Sequence, residues 1–200
     1  MYIDYTPLML VNLVAGLVLL AAWVFLDLDT ERERRWVPAM ATAGVVGLAA
    51  GLHMIFTWPL PGALNTVYGP LSVFYGILLL GLAFVLSFRL DVLPVAIYAA
   101  FAGLATLLLG IQVFQQGLTP YPQLTGAALA WMGVVGLDAV PMLRIRAVPA
   151  FRVLAAIGLL VAAVLWGVVA YLAAWQHVAP ANQWKPATLQ YQLEMNKARQ

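Results

Sequence analysis

An all-α integral membrane bundle of six transmembrane helices is the fold class this sequence predicts, and three observations carry the prediction. Of 200 residues, 64% are hydrophobic and 9% are charged, where a soluble domain carries about 25% charged residues and about 45–50% apolar ones. Six stretches are long and continuously apolar, without the alternation of a barrel strand. The basic residues of the interhelical loops fall in alternate connections. Apolar surface on this scale cannot be hidden inside one small domain, so lipid is the solvent for much of it.

The first span, Pro7–Leu26, follows Met1-Tyr2-Ile3-Asp4-Tyr5, which lacks the basic n-region of a signal peptide, so it reads as a retained helix. The others are Trp36–Trp58, Pro70–Phe88, Val92–Phe114, Leu124–Leu143 and Val148–Trp175, each near the roughly 20 residues that cross a bilayer. Residues 1–178 form the transmembrane domain, and residues 179–200 a polar, amide-rich tail.

Orientation follows from charge. Arg32, Arg34 and Arg35 lie between the first and second spans, Arg89 between the third and fourth, and Arg144 and Arg146 between the fifth and sixth, with Arg152 one turn further on. Pro59–Gly69 and Gln115–Gln123 carry no charge. Basic connections stay in the cytoplasm. The expected location is the plasma or inner membrane, with both termini and the tail outside. Tyr2, Tyr5, Trp58, Tyr68, Tyr121, Trp175 and Trp184 then gather at the outer interface, where an aromatic belt accounts for most of them.

The chain also repeats. Arg35-Trp36-Val37-Pro38, Asp91-Val92-Leu93-Pro94 and Arg146-Ala147-Val148-Pro149 each open a helix, and Gly47-Leu48, Gly103-Leu104 and Gly158-Leu159 follow at the same spacing. Proline suits the first turn, where its missing N–H loses no partner; glycine at a matching depth lets backbones approach. Gly69 and Gly76 correspond to Gly126 and Gly133. The expectation is a parallel hairpin repeat, spans two and three on spans four and five, with Gly47 on Gly103. Inverted repeats are the more usual mark of alternating-access transporters.

The segment Gly51-Leu52-His53-Met54-Ile55-Phe56-Thr57-Trp58-Pro59-Leu60-Pro61-Gly62 resembles an uncharacterised bacterial and archaeal membrane-protein family, a domain of unknown function. Tyr2-Ile3-Asp4-Tyr5-Thr6-Pro7-Leu8-Met9-Leu10 and Trp175-Gln176-His177 resemble it as well. The likeness covers residues 2–178. It implies a multi-helix bundle and supplies no activity, substrate or cofactor.

Polar groups inside a membrane are the places to look for function. His53 lies about five residues, roughly 7 Å, from the outer end of its span. With Thr42, Val46, Ala49 and Thr57 it forms one stripe, expected to face the bundle interior, while Gly44, Gly47 and Gly51 form a packing face and Val45, Leu48, Leu52 and Ile55 a lipid face. Asn12 lies at a similar depth, and Gln112 aligns with Phe56 through the repeat. Convergence of His53, Asn12 and Gln112, with Thr57 beside them and His177 or the Pro59–Gly69 loop covering them, is the expected ligand site. Imidazoles suit a haem, a metal ion or a quinone carbonyl, but two histidines are few for a metal site. Interhelical hydrogen bonding explains the same residues without any ligand. Which metal or cofactor is held, if any, stays open. Asp138 is the carboxylate deepest in a span, suited either to a proton path or to pairing with Arg89 or Arg152. Asp27, Asp29, Glu31 and Glu33 with three arginines read as a solvated loop.

The sequence shows no phosphate-binding glycine loop, no catalytic Ser/His/Asp constellation and no HExxH motif, which argues against an enzyme. Net charge of +2 argues against nucleic acid. Absence of cysteine excludes disulfides and thiolate metal centres. The leading expectation is an accessory or assembly subunit of a membrane complex such as a respiratory one, with lipid, other membrane subunits or copies of itself as partners. A small-solute transporter or channel is the alternative, and a haem- or quinone-bearing redox protein using His53 is a third.

Overall fold

The computed structural model describes residues 6–60 and 62–181, with side chains to Trp175. These residues form seven α-helices: α1 (Thr6–Leu26), α2 (Val37–Thr57), α3 (Leu64–Phe88), α4 (Leu93–Gln116), α5 (Pro122–Leu137), α6 (Ala139–Ile145) and α7 (Pro149–Ala181). A 3-10 turn, Glu33–Trp36, leads into α2. Five helices (α1, α2, α3, α4 and α7) are each long and apolar enough to cross a bilayer. The short pair α5 and α6, bent by 41° at Asp138, passes the same test when the two are taken together, which gives five to six spans.

Three element boundaries differ from expectation. α3 begins at Leu64, with Pro70 inside the helix. Proline at that depth removes one backbone bond near the start, and Asn65, buried and bonded to both the amide and the carbonyl of Leu60, fixes the turn that precedes it. The fifth span is broken at Asp138, where α5 ends in a turn whose amide bonds Val134. α7 runs on to Ala181, beyond the expected end at Trp175. The tail after it lies outside the described residues.

Apart from Asp138, which stands at the α5–α6 break, every described Asp, Glu and Arg lies in or beside the α1–α2, α3–α4 and α6–α7 connections, at one end of the bundle. This is the charged end. The described α2–α3 and α4–α5 connections have no charged residue and form the uncharged end.

Two hairpins are closed by glycine. In the first, Gly44 meets the Gly76 carbonyl and Gly51 meets the Gly69 carbonyl, where an added Cβ would stand 3.0 Å and 2.9 Å away. In the second, Gly103 meets Gly133 and Gly110 meets Gly126, at 2.7 Å and 2.9 Å on the same measure. Contact this close between helix backbones excludes any side chain. Both first helices end in left-handed caps, Trp58 at φ 49 and Gly117 at φ 66, whose amides bond Met54 and Val113. Met54 and Val113 are both fully buried. The repeat is therefore present, in a different register from the one expected: Gly44, not Gly47, is the counterpart of Gly103. α4 has 24 residues and α2 has 21, and the three extra residues precede the glycine face. Counting from the opening prolines misplaces everything beyond them by that amount. In the structural register the partner of Gln112 is His53, not Phe56.

α1 packs chiefly along α7, and it is pinned to the first hairpin by Tyr75, whose hydroxyl lies against Gly16 and donates to the Asn12 carbonyl at 2.9 Å. α3 and α4 follow one another in the chain yet touch little. The seam between the hairpins is consequently loose where each hairpin is tight.

At the charged end, the loop expected to be solvated is partly built in. Asp27 is 1% exposed; it takes the Arg35 guanidinium at 2.5 Å and the Trp36 indole N–H at 2.7 Å. Asp29 pairs with Arg146 at 2.8 Å and Arg152 at 3.5 Å, and Glu31 with Arg89 at 2.7 Å. One short loop thus ties all three connections of that end together.

Candidate functional site: a cavity between the hairpins

The loose seam opens into a cavity of about 520 Å³, bounded by α1, α3, α4, α5, α6 and α7. Its wall is made of leucine, valine, alanine and aromatic side chains, with Tyr75, Thr106 and Asp138 as its oxygen-bearing side chains among the described residues. It reaches the charged end at Val92, Asp138 and Ile145. A second void of about 280 Å³ lies between α3 and α4 toward the uncharged end, lined by Thr66, Pro70 and Gln112 among others. The two share Leu71, Phe74 and Thr106. Elsewhere in the uncharged half the centre is filled: Trp166 is fully buried, with Tyr68 edge-on at 6.3 Å, and Leu10 and Leu129 are buried with them.

Asp138 stands at the α5–α6 break because two short helices, rather than one, meet there. It is exposed and lines the cavity, and among the described residues it has no ion-pair partner. Arg89 and Arg152, its expected partners, are held by Glu31 and Asp29. No described arginine or lysine lines the cavity.

The three residues expected to converge do not. His53 is exposed, on the face of α2 turned away from the bundle, with Nδ1 3.3 Å from Thr57 Oγ1. Thr57 in turn donates to the His53 carbonyl at 2.7 Å. Thr42, Ala49 and Thr57 of the same stripe are exposed as well. Asn12 lies against the opposite, glycine face, its amide donating to the Ala43 carbonyl at 2.9 Å. Gln112 is exposed and lines the smaller void with Thr66. The His177 side chain lies outside those described. Sequence reasoning missed Thr106, which lines both voids, and Tyr75. Their signal was weak, since a lone Thr or Tyr on an apolar helix carries no motif.

Residues 1–180 match the family described as "Protein of unknown function (DUF981)". No curated protein matches the sequence. Among solved structures, the fold is similar to that of the Helicobacter pylori urea channel in the closed state, with a TM-score of 0.65 and 18% sequence identity over 86% of this chain and 98% of that one. At that identity the likeness is one of fold.

Proposed function

We propose that this chain, which belongs to the DUF981 family of proteins of unknown function, is a multi-pass membrane channel or transporter passing small solutes through its own helical bundle. The observation that carries this reading is a pair of voids that share Leu71, Phe74 and Thr106 in their walls, one reaching the charged end and the other lying toward the uncharged end. Protein interiors are packed with few voids larger than a water molecule, so a partly open cavity of about 520 Å³ walled by six helices of so small a bundle calls for an occupant. An accessory subunit needs no such space. The resemblance in fold to a protein described as a urea channel supports the same class of function. Mostly apolar walls and a void of this size favour small solutes.

Positive charge places the charged end in the cytoplasm in this reading, with both termini outside and the chain in the plasma or inner membrane. The cavity then opens inward, and the packed half around Tyr68 and Trp166 faces outward.

A second reading has its own observation. His53, Thr42 and Thr57 sit on the outward face of α2, where polar groups in lipid are costly unless covered. A partner helix on that face would fit an accessory or assembly role, and this is compatible with transport.

The test is solute flux. In proteoliposomes, urea should equilibrate faster than in protein-free vesicles, by stopped-flow light scattering. Thr106→Phe, which adds bulk to the wall that the two voids share, should abolish the difference while the melting profile stays cooperative. Wild-type protein that is folded and gives no flux would overturn the reading.

A further inference from the structure

The cavity wall has an uneven hydrogen-bonding capacity. Its side-chain donors are already committed: Tyr75 Oη donates to the Asn12 carbonyl at 2.9 Å, Thr106 Oγ1 to the Ala102 carbonyl at 2.7 Å, and Trp131 Nε1 to the Gly158 carbonyl at 2.9 Å. Trp23 Nε1, the remaining one, is sealed inside the protein fabric and presents no surface. What a solute meets is acceptors, and the strongest of them is the Asp138 carboxylate. It is the one charged side chain among the described lining residues, and it has no cation beside it to neutralise it. Hydrogen bonds to an ionised acceptor are roughly twice as strong as neutral ones, and the exposure of Asp138 leaves its carboxylate open to an entering solute.

We propose that Asp138 is the specificity-determining residue of the cavity, and that the preferred solutes are small N–H-bearing cations of the ammonium, amidinium or guanidinium type. Neutral amides of the same shape bind the same acceptors more weakly. Oxyanions, which bring only acceptors, meet a mostly apolar wall whose one described charged group is negative. The seven described arginines at the charged end do not reverse this preference, because none lines the cavity and five of them are engaged with Asp27, Asp29 or Glu31. This inference rests on the reading of the bundle as a solute path.

Guanidinium, urea and nitrate are planar, similar in size, and differ in charge and donor count, so they separate the terms. The experiment compares their fluxes through the full chain in proteoliposomes with the membrane potential clamped. Guanidinium is expected to pass faster than urea, and nitrate no faster than through protein-free vesicles. Asp138→Asn should lower the guanidinium-to-urea ratio about tenfold, the difference between a charge-assisted and a neutral hydrogen bond, with urea flux retained. Asp138→Glu should keep the ratio. An unchanged ratio in Asp138→Asn, or wild-type nitrate flux matching that of guanidinium, overturns the assignment of Asp138 and leaves the solute path standing. If none of the three crosses faster than through protein-free vesicles, although the protein is folded, the path itself falls and this inference with it.

Discussion

Asp29 holds a left-handed backbone at φ 62, a conformation Asp tolerates better than most residues. Held so, it donates its amide to Glu33 Oε1 at 2.6 Å while its carboxylate takes Arg146 and Arg152. Glu33 has the opposite environment. Burial pushes its carboxyl above the ordinary range, the Asp29 amide bond works against that, and the neighbouring Asp29 and Asp27 charges add to the rise. A raised folded-state value means that the native state holds the proton more tightly than the unfolded chain. The stability this confers is present below the ordinary glutamate range and is lost as pH rises through the raised value. Glu33→Gln keeps the acceptor for Asp29 and removes the titration. Thermal melts in detergent at about pH 4 and about pH 7 should show a wild-type loss that the variant lacks; parallel pH dependences would refute it. Residues of this kind were the least legible in the sequence. Asp27 and Glu33 looked alike in a charged run, and only the path of the loop decided that one is buried beneath Arg35 and Trp36. His53 failed for a related reason. Helical spacing put it on a stripe distinct from the glycine face, but a helix that packs by its glycines leaves both flanks undecided between lipid and interior.

Within the hairpins, Gly44, Gly51, Gly76, Gly103, Gly110 and Gly133 are each constrained by a specific backbone atom across the interface. A Cβ on Gly133 would stand 2.6 Å from the Leu107 amide nitrogen, and one on Gly76 would run into that of Leu48. Backbone in a closed hairpin cannot yield as a flexible side chain does. Gly76→Ala and Gly133→Ala should each cost about 1–3 kcal/mol. Gly167→Ala, with nothing within 4 Å of the new Cβ, should be neutral or gain up to about 1 kcal/mol from helix propensity. Melting temperatures of the three variants check this, and equal effects would mean that the hairpin contacts are not close in the membrane. At this scale the sequence was far more informative. Long apolar runs define spans, because no other structure satisfies the backbone in lipid, and the Gly69/Gly76 and Gly126/Gly133 pairs were visible as such. What could not be read was the three-residue difference in length between α2 and α4, which shifts the register without altering composition. The break at Asp138 was hidden too, since Pro141 fits a first turn as readily as a kink.

For the whole molecule, segregation of charge is the dominant feature, and the orientation proposed from it has a direct test. The chain contains no cysteine, so single substitutions report alone. In intact cells a membrane-impermeant thiol reagent should label Gln116→Cys and should reach Arg34→Cys only after lysis; the reverse pattern would turn the molecule over and place the cavity mouth outside.

The pairing of α1 with α7 bears on how such a molecule comes to exist. Each glycine hairpin joins neighbours in the chain, so it can close soon after its second helix leaves the ribosome. α1 emerges well before α7, the helix it chiefly packs against. Until then the face of α1 that α7 covers has only lipid or a chaperone for company. A chain stopped before Pro149 therefore keeps the Tyr75 and Asn12 bonds of α1 to the first hairpin and lacks its chief partner.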